Sequence, residues 1–501
     1  MVRAPRYMWP FHSERSSFWQ PLGFASIAAV TREVHPDVDI EILDCPVLRM
    51  GWKSTKQYIR QRQPDIICIG EETVSAHEAI RLARFAREEM PDCMIIAGGP
   101  HFSYMVEDTL LNHPIDFIVR FEGEYAFRDL ITQLKKGGRQ DLSKVPNLCY
   151  RKKGEIVYND LADPVDMESL PIPAYDLLPM QRYGEGATSH PDLVAIEHSR
   201  GCPCSCNFCI LWKQFGKIDV KNRKVVPCYR TKSPQKVVDE VRYLVETYGR
   251  KTFCWVDPTW NVDPAWNEEF AERMLKSGLE VNHSVWMRAD YIVRDEERGI
   301  FNKLVQAGVK QAMVGVERTD DDDLAYLDKA GYTFNKVKKA FEIIRSYPEV
   351  LSVATYIYGI PNETRASLRR FYEMLKEIPF DIGVPIPITP NPGTRFFDEL
   401  QDKKLLEVKK FRFYNFVNPI ARSKYLSKEM LLLFMLWNEF RIRTRREQFA
   451  LFFLKGRRRN ATKNLAKSKT RMTLRFFQGI FQSVLFNKEL NYNIRPEWYD
   501  S

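Results

Sequence analysis

The sequence predicts an α/β protein: an amino-terminal doubly wound parallel sheet, a central partial (β/α)6 barrel and a mainly helical carboxyl-terminal extension. Three observations lead there. Short apolar runs alternate with amphipathic stretches from Val2 to about Gly138, and again from Leu193 to about Thr394, the pattern of parallel sheets covered by helices. Between them, Pro and Gly recur and Leu170-Pro-Ile-Pro-Ala174 breaks any regular element. Beyond Phe396 the chain reads as helical, aromatic and finally basic. The expected divisions are an α/β domain over 1–138, a linker with one hairpin over 139–192, the barrel over 193–395 and the helical basic region over 396–501.

In the first division the candidate strands are Val2–Ala4, Val38–Leu43, Asp65–Ile69, Met94–Ala97 and Phe117–Val119. The candidate helices are Leu22–Glu33, Lys53–Gln63, Ala76–Met90, Tyr104–Leu111 and Tyr125–Lys136. Parallel sheets bind ligands outside the carboxyl ends of their strands. The segments falling there are Glu71-Glu-Thr-Val-Ser75, Gly98-Gly-Pro-His101 and Glu122-Gly-Glu124. They read either as the rim of a cofactor cleft or as ordinary strand–helix loops.

In the second alternation, strands are expected at Leu193–His198, Thr252–Val256, Ser284–Met287, Gln311–Val316, Ser352–Tyr358 and Ile382–Ile388. Helices at Ser233–Thr247, Pro264–Ser277, Asp295–Ala307 and Ala366–Lys376 lie between them. An incomplete barrel of this kind carries its active site at the carboxyl ends of the strands.

Ten cysteines are mostly scattered singly, but four crowd into residues 202–209, which suits a metal in a reducing cytosol better than a disulfide framework. The longest apolar runs, Met430–Trp437 and Phe449–Leu454, fall far short of the ~20 residues that span a bilayer. No signal-peptide pattern follows the first residues, so a soluble cytoplasmic protein is expected. The net charge of +10 is concentrated in the tail, where thirteen Lys/Arg stand against Glu447 between Arg441 and Arg475. Only that segment asks for an anionic partner.

The strongest signal is Ser199-Arg-Gly-Cys202-Pro-Cys-Ser-Cys206-Asn-Phe-Cys209, a C-x3-C-x2-C run after the first barrel strand. Three thiolates on one short loop can hold three irons of a [4Fe–4S] cube and leave the fourth open. Zinc would need a further ligand, for which Cys204 or Cys228 is available. Cys204 otherwise reads as a spectator.

With an aromatic before its last cysteine, this run resembles the radical S-adenosylmethionine (SAM) signature. The resemblance is closest to the cobalamin-binding class, in which a nucleotide-binding-like domain precedes the barrel, and it covers about residues 1–400. It implies that Cys202, Cys206 and Cys209 ligate the cluster, that the open iron chelates SAM, and that one electron yields a 5′-deoxyadenosyl radical. It further implies SAM contacts from Phe208, from Asp257 and Thr259 of Trp255-Val-Asp-Pro-Thr259, from Arg288 and from Glu317. Gly359-Ile-Pro-Asn-Glu-Thr364 and Pro390-Asn-Pro-Gly-Thr394 resemble later strand-end loops. Cobalamin would then lie against Glu72, Thr73, Ser75, Gly98, Gly99, Pro100, His101, Glu122, Gly123 and Glu124. The D-x-H-x-x-G motif of classical cobalamin modules is missing, and His12, His77 and His101 read as capping or surface residues, leaving the lower axial ligand unassigned.

Within this class the sequence is similar to the anaerobic magnesium-protoporphyrin monomethyl ester cyclase and to methylases of bacteriochlorophyll and hopanoid precursors. Tyr414-Asn-Phe-Val-Asn-Pro419 and the Arg-rich segment extend the likeness into the tail. The expected activity is methyl transfer to an unactivated carbon of a large apolar substrate, a tetrapyrrole or polycyclic lipid, with oxidative ring closure as the alternative. An external electron donor such as flavodoxin or ferredoxin is implied. Phe449–Leu454 beside Lys455, Arg457, Arg458 and Arg459 has the composition of a segment lying on an anionic membrane, while a solvated helical cap is the other reading. A tRNA-modifying enzyme or a non-catalytic membrane- or RNA-binding protein stays open on the basic tail, although no RNA-binding module is recognisable.

Overall fold

The computed structural model describes residues 1–6, 19–136, 139–184, 192–219, 224–329, 331–443 and 497–501. They divide into two compact units, one built from residues 1–160, 171–193 and 497–501, the other from 161–170 and 194–443.

The first unit is a seven-stranded sheet of β1 (Val2–Arg3), β2 (Leu43–Asp44), β3 (Ile66–Gly70), β4 (Met94–Gly98), β5 (Phe117–Val119), β6 (Leu148–Lys152) and β7 (Glu155–Tyr158). Its order is β2-β1-β3-β4-β5-β6-β7, parallel through β5 and antiparallel from β5 to β7. Side chains alternate across a strand, so a sheet covered on both faces is apolar at successive positions. Ile67, Ile69, Ile95, Ala97 and Ile118 belong to one buried cluster, and Cys68, Ile96, Phe117 and Val119 to another. The helices Leu22–Val34, Trp52–Arg62, Ala76–Glu89 and Glu124–Lys135 fall within a few residues of their expected spans.

Three features differ from the expectation. The strand expected over 38–43 ladders only at Leu43–Asp44, because its neighbour β1 offers just two residues to pair with. Gly99–Tyr104 coils into a short helix directly after β4, so Pro100 and His101 sit on a helix. The hairpin expected within the linker adds β6 and β7 to the first sheet through β5, where Cys149 pairs with Ile118.

The second unit continues with β8 (Leu193–Ile196), β9 (Ser199–Cys202), β10 (Lys217–Asp219), β11 (Lys224–Val226), β12 (Cys228–Thr231), β13 (Thr252–Trp255), β14 (Asn282–Met287), β15 (Val309–Glu317), β16 (Leu351–Tyr358) and β17 (Ile382–Pro387). Six of these form a sheet in the order β17-β16-β15-β14-β13-β8, parallel from β13 to β17. Pro264–Ser277 matches its expected span because Asp263 caps it, accepting from the Ala265 and Trp266 amides, and Gly278 ends it. The helix expected over 295–307 is two helices, Ala289–Glu297 and Ile300–Gln306, separated at Arg298–Gly299.

Two small antiparallel pairs, β9 with β12 and β10 with β11, were not legible as strands. Of the carboxyl-terminal region, the helices Arg395–Asp402 and Lys428–Arg443 are described; Phe449–Leu454 and the basic run after it lie outside the described residues. Among the described residues no helix is long and apolar enough to cross a membrane.

Candidate functional site

In the second unit Cys202 ends β9, opposite Cys228 of β12. The residue before it must be glycine: Gly201 has φ +84°, and a Cβ there would overlap the Cys228 carbonyl. The other end of β9 is tied to the end of β13. Asp257 Oδ1 accepts from the Ser199 amide at 2.6 Å, the Ser199 hydroxyl at 2.5 Å and the His198 amide at 3.1 Å, with His198 Nδ1 2.7 Å away. The His198 and Asp257 side chains are fully buried. Asp257, expected at SAM, thus has one oxygen committed to the strand that carries Cys202; the other, Oδ2, is buried without a partner among the described residues.

The rest of the cysteine loop is fixed by hydrogen bonds involving both its backbone and its side chains. Trp212 Nε1 donates to the Cys206 carbonyl at 2.9 Å, and Asn207 Nδ2 donates to the Tyr326 carbonyl at 2.7 Å. Phe208 packs, partly buried, against a cluster containing Leu327, Ile357, Ile388 and Phe396. Thr259 Oγ1 lies 3.5 Å from Cys202 Sγ. Arg288 grips Asp290 with Nε at 3.0 Å and Nη2 at 2.8 Å, and turns Nη1 to Cys204 Sγ at 2.9 Å. Glu317 Oε1 accepts from Lys329 Nζ at 2.6 Å. Asp290, Lys329 and Tyr332 were not read from the sequence. The Arg288-x-Asp290 spacing, which suits a forked ion pair, was the one signal for Asp290.

The thiols differ in their readiness to ionise. A hydrogen bond from Cys204 pulls Cys202 down to about 6 against the opposing effect of burial, with Thr259 and Arg288 assisting, and Cys204 is raised as the donor. Burial raises Cys206 and pushes Cys209 up to about 12. Thiolate, not thiol, is the metal ligand, so binding a metal here releases protons. Among the described residues no three His, Cys, Asp or Glu side chains converge as ligands of a single ion do. Thiolates that each take a different iron of a cube need no such convergence, and three cysteines on one staked loop are a suitable donor set for it.

In the first unit the three expected strand-end segments are all ordered. Arg6 Nη1 donates to Glu71 Oε2 at 2.7 Å and to Ser75 Oγ at 2.8 Å, while Ser75 Oγ donates to Glu71 Oε2 at 2.7 Å. Glu72 is exposed and Thr73 buried. Gly99 has φ +87°, and a Cβ there would stand 3.0 Å from the Glu71 nitrogen and 3.1 Å from its carbonyl oxygen. Gly98, Gly99 and Pro100 are half-buried and add no large side chain after β4. His77 is partly exposed beside Glu78. His101, read as a capping or surface residue, is instead buried, and burial pushes its imidazole down to about 4. His12 lies outside the described residues. Glu122 lends its carbonyl to Asn147 Nδ2 at 3.3 Å, Gly123 precedes the helix Glu124–Lys135, and buried Glu124 accepts from Ser26 Oγ at 2.9 Å.

The chain is similar to known proteins in its domains and fold. Residues 11–131 match the B12 binding domain family and residues 196–375 the radical SAM superfamily. A protein of Pyrococcus horikoshii described as an uncharacterized methyltransferase is 28% identical over 414 residues, 82% of this chain and 85% of its own. The anaerobic magnesium-protoporphyrin IX monomethyl ester cyclase of Rubrivivax gelatinosus is 28% identical over 430 residues, 84% of this chain and 74% of its own. Among solved structures, the cobalamin-dependent SAM radical enzyme OxsB with aqua-cobalamin and SAM bound shares the fold, with a TM-score of 0.68, 17% identity, and coverage of 94% of this chain and 71% of that one. The chain carries a B12-binding domain ahead of a radical SAM domain, and these two domains imply [4Fe–4S], SAM and cobalamin as its cofactors.

Proposed function

We propose that the protein methylates an unactivated carbon of a large apolar small molecule. The observation that carries the reading is the staked loop of Cys202, Cys206 and Cys209 at the carboxyl ends of the barrel strands, with Thr259, Arg288 and Lys329 around it. Bound there and in the first unit, the cluster, SAM and cobalamin would supply a hydrogen-abstracting radical and a transferable methyl group. The three cysteines would hold the cluster, Thr259 and Glu317 would contact SAM, and Glu71–Ser75, Gly98–His101 and Glu122–Glu124 would hold cobalamin. Asp257 and Phe208 act on the site by fixing the loop. Ring closure is the second reading, favoured by the 28% identity to the Rubrivivax gelatinosus cyclase.

An electron donor of the flavodoxin or ferredoxin type reduces the cluster, and the basic tail docks the enzyme on anionic membrane, where an apolar substrate is collected. The exposed Leu433 and Trp437, one turn apart on the helix leading into that tail, support this docking.

Anaerobically reconstituted enzyme supplied with methyl-deuterated SAM and candidate tetrapyrroles or polycyclic lipids tests the function. The expected product carries the labelled methyl group and forms with 5′-deoxyadenosine. A product lighter than substrate by hydrogen and free of label would establish ring closure instead.

A further inference from the structure

The two cations beside the cysteine loop are tied to one aromatic ring. Arg288 lies 4.7 Å above the ring of Tyr332 and Lys329 lies 4.5 Å from it, both within cation–π range. Tyr332 is buried, and its hydroxyl oxygen accepts from the amide of Ala289, the residue after Arg288, at 2.8 Å. Each cation also has its own acid, Asp290 for Arg288 and Glu317 for Lys329. Gly315 leaves room for the second pair, since a Cβ there would overlap Glu317 Oε1 and stand 3.1 Å from Lys329 Nζ. A register shift between Gly315 and Glu317 sets the carboxylate at that place.

The orientation of these pairs decides what they do. A guanidinium binds a carboxylate best through two parallel N–H groups. In Arg288 the Nε and Nη2 edge is already bound to Asp290, and Nη1 points to the cysteine loop. Lys329 follows the segment pinned to the same loop, where the Leu327 carbonyl accepts from the Asn207 amide at 3.2 Å and the Tyr326 carbonyl from Asn207 Nδ2 at 2.7 Å. Each pair therefore fixes a positive charge beside the cysteine loop. Arg288 is 5% exposed and Lys329 nearly buried, so water screens them little.

We propose that Arg288 and Lys329, joined through Tyr332, form a cationic bracket that raises the reduction potential of the cluster, and that Arg288 serves the cysteine loop and not the SAM carboxylate. The inference rests on the assignment of the cluster to Cys202, Cys206 and Cys209. Reduction adds one negative charge to the cluster, and a fixed positive field stabilises that form. Both residues are positioning residues: neither touches the reacting atoms.

The test is a redox titration of the reconstituted holoenzyme, read from the electron paramagnetic resonance signal of the reduced cluster, with iron and sulfide determined on each sample. Arg288→Gln and Lys329→Gln should each shift the reduction equilibrium about tenfold toward the oxidised form, a fall of ~59 mV for one electron, at the parent's iron content. Arg288→Lys and Lys329→Arg should restore most of it. Midpoints equal to the parent's in both glutamine variants would overturn the bracket, as would an Arg288→Gln enzyme with an unchanged midpoint but weakened SAM binding. Should Arg288→Gln fail to fold, Lys329→Gln tests the same field alone. Failure of the underlying assignment looks different, because Cys206→Ala would then keep the cluster.

Discussion

The Ser199 amide donates to Asp257 Oδ1 at 2.6 Å, so the end of β13 fixes the start of the strand that delivers Cys202. Asp257→Ala would leave two buried amides and the Ser199 hydroxyl without their acceptor, at about 1–3 kcal/mol for each group left unsatisfied. The expected result is a lower melting temperature together with a cluster that loads incompletely, measured by iron and sulfide per chain. Full loading and an unchanged melting temperature would contradict this role.

Single replacement of Cys202, Cys206 or Cys209 by Ala should abolish formation of 5′-deoxyadenosine, because each removes one iron ligand. Cys204→Ala should keep the parent's iron and sulfide content. A Cys206→Ala enzyme with full SAM cleavage would refute the ligand assignment.

At Gly99, φ +87° and the closeness of Glu71 make any side chain strained. Gly99→Ala is expected to lose about 1–2 kcal/mol of stability from the backbone alone. It should also lower the corrinoid retained per chain after reconstitution with abundant cobalamin, as read from the optical spectrum. Retention equal to the parent's would remove the strand-end glycines from the cofactor's seat.

Burial pushes His283 down to about 3, and its Nε2 has no partner among the described residues. The unfolded chain takes up a proton on this imidazole as pH falls below the usual 6.5, whereas the native protein does not until about 3. Stability from this group is thus complete above about 6.5 and declines on acidification, by at most about 1.4 kcal/mol per pH unit. Urea melts between pH 7 and 5 should show a shallower acid loss in His283→Gln than in the parent. Parallel pH profiles would exclude the contribution.

The basic run between Arg441 and Arg475 predicts binding to anionic vesicles at low salt that is lost at high salt, with little binding to neutral vesicles. Co-sedimentation distinguishes docking from a solvated cap, for which both vesicle types would give equal and negligible binding.

By itself the sequence determined both α/β architectures and the cysteine loop. The reason is local: a buried parallel strand needs a short continuous apolar run, as in Ile66–Ile69, a capped helix needs its Asp263-Pro264 start, and three cluster ligands need only fixed spacing on one loop. Short ladders such as β9 with β12 were invisible because four residues carry too little periodicity, and their pairing depends on partners 26 or more residues away. Tertiary structure alone decided which polar residues meet. Asp257 anchors Ser199, Arg288 meets Cys204, and Lys329 meets Glu317. Each pairing joins residues from different elements, or different ends of one loop. Burial then leaves a charged group no water to prefer, so the neighbour that packing supplies fixes its role.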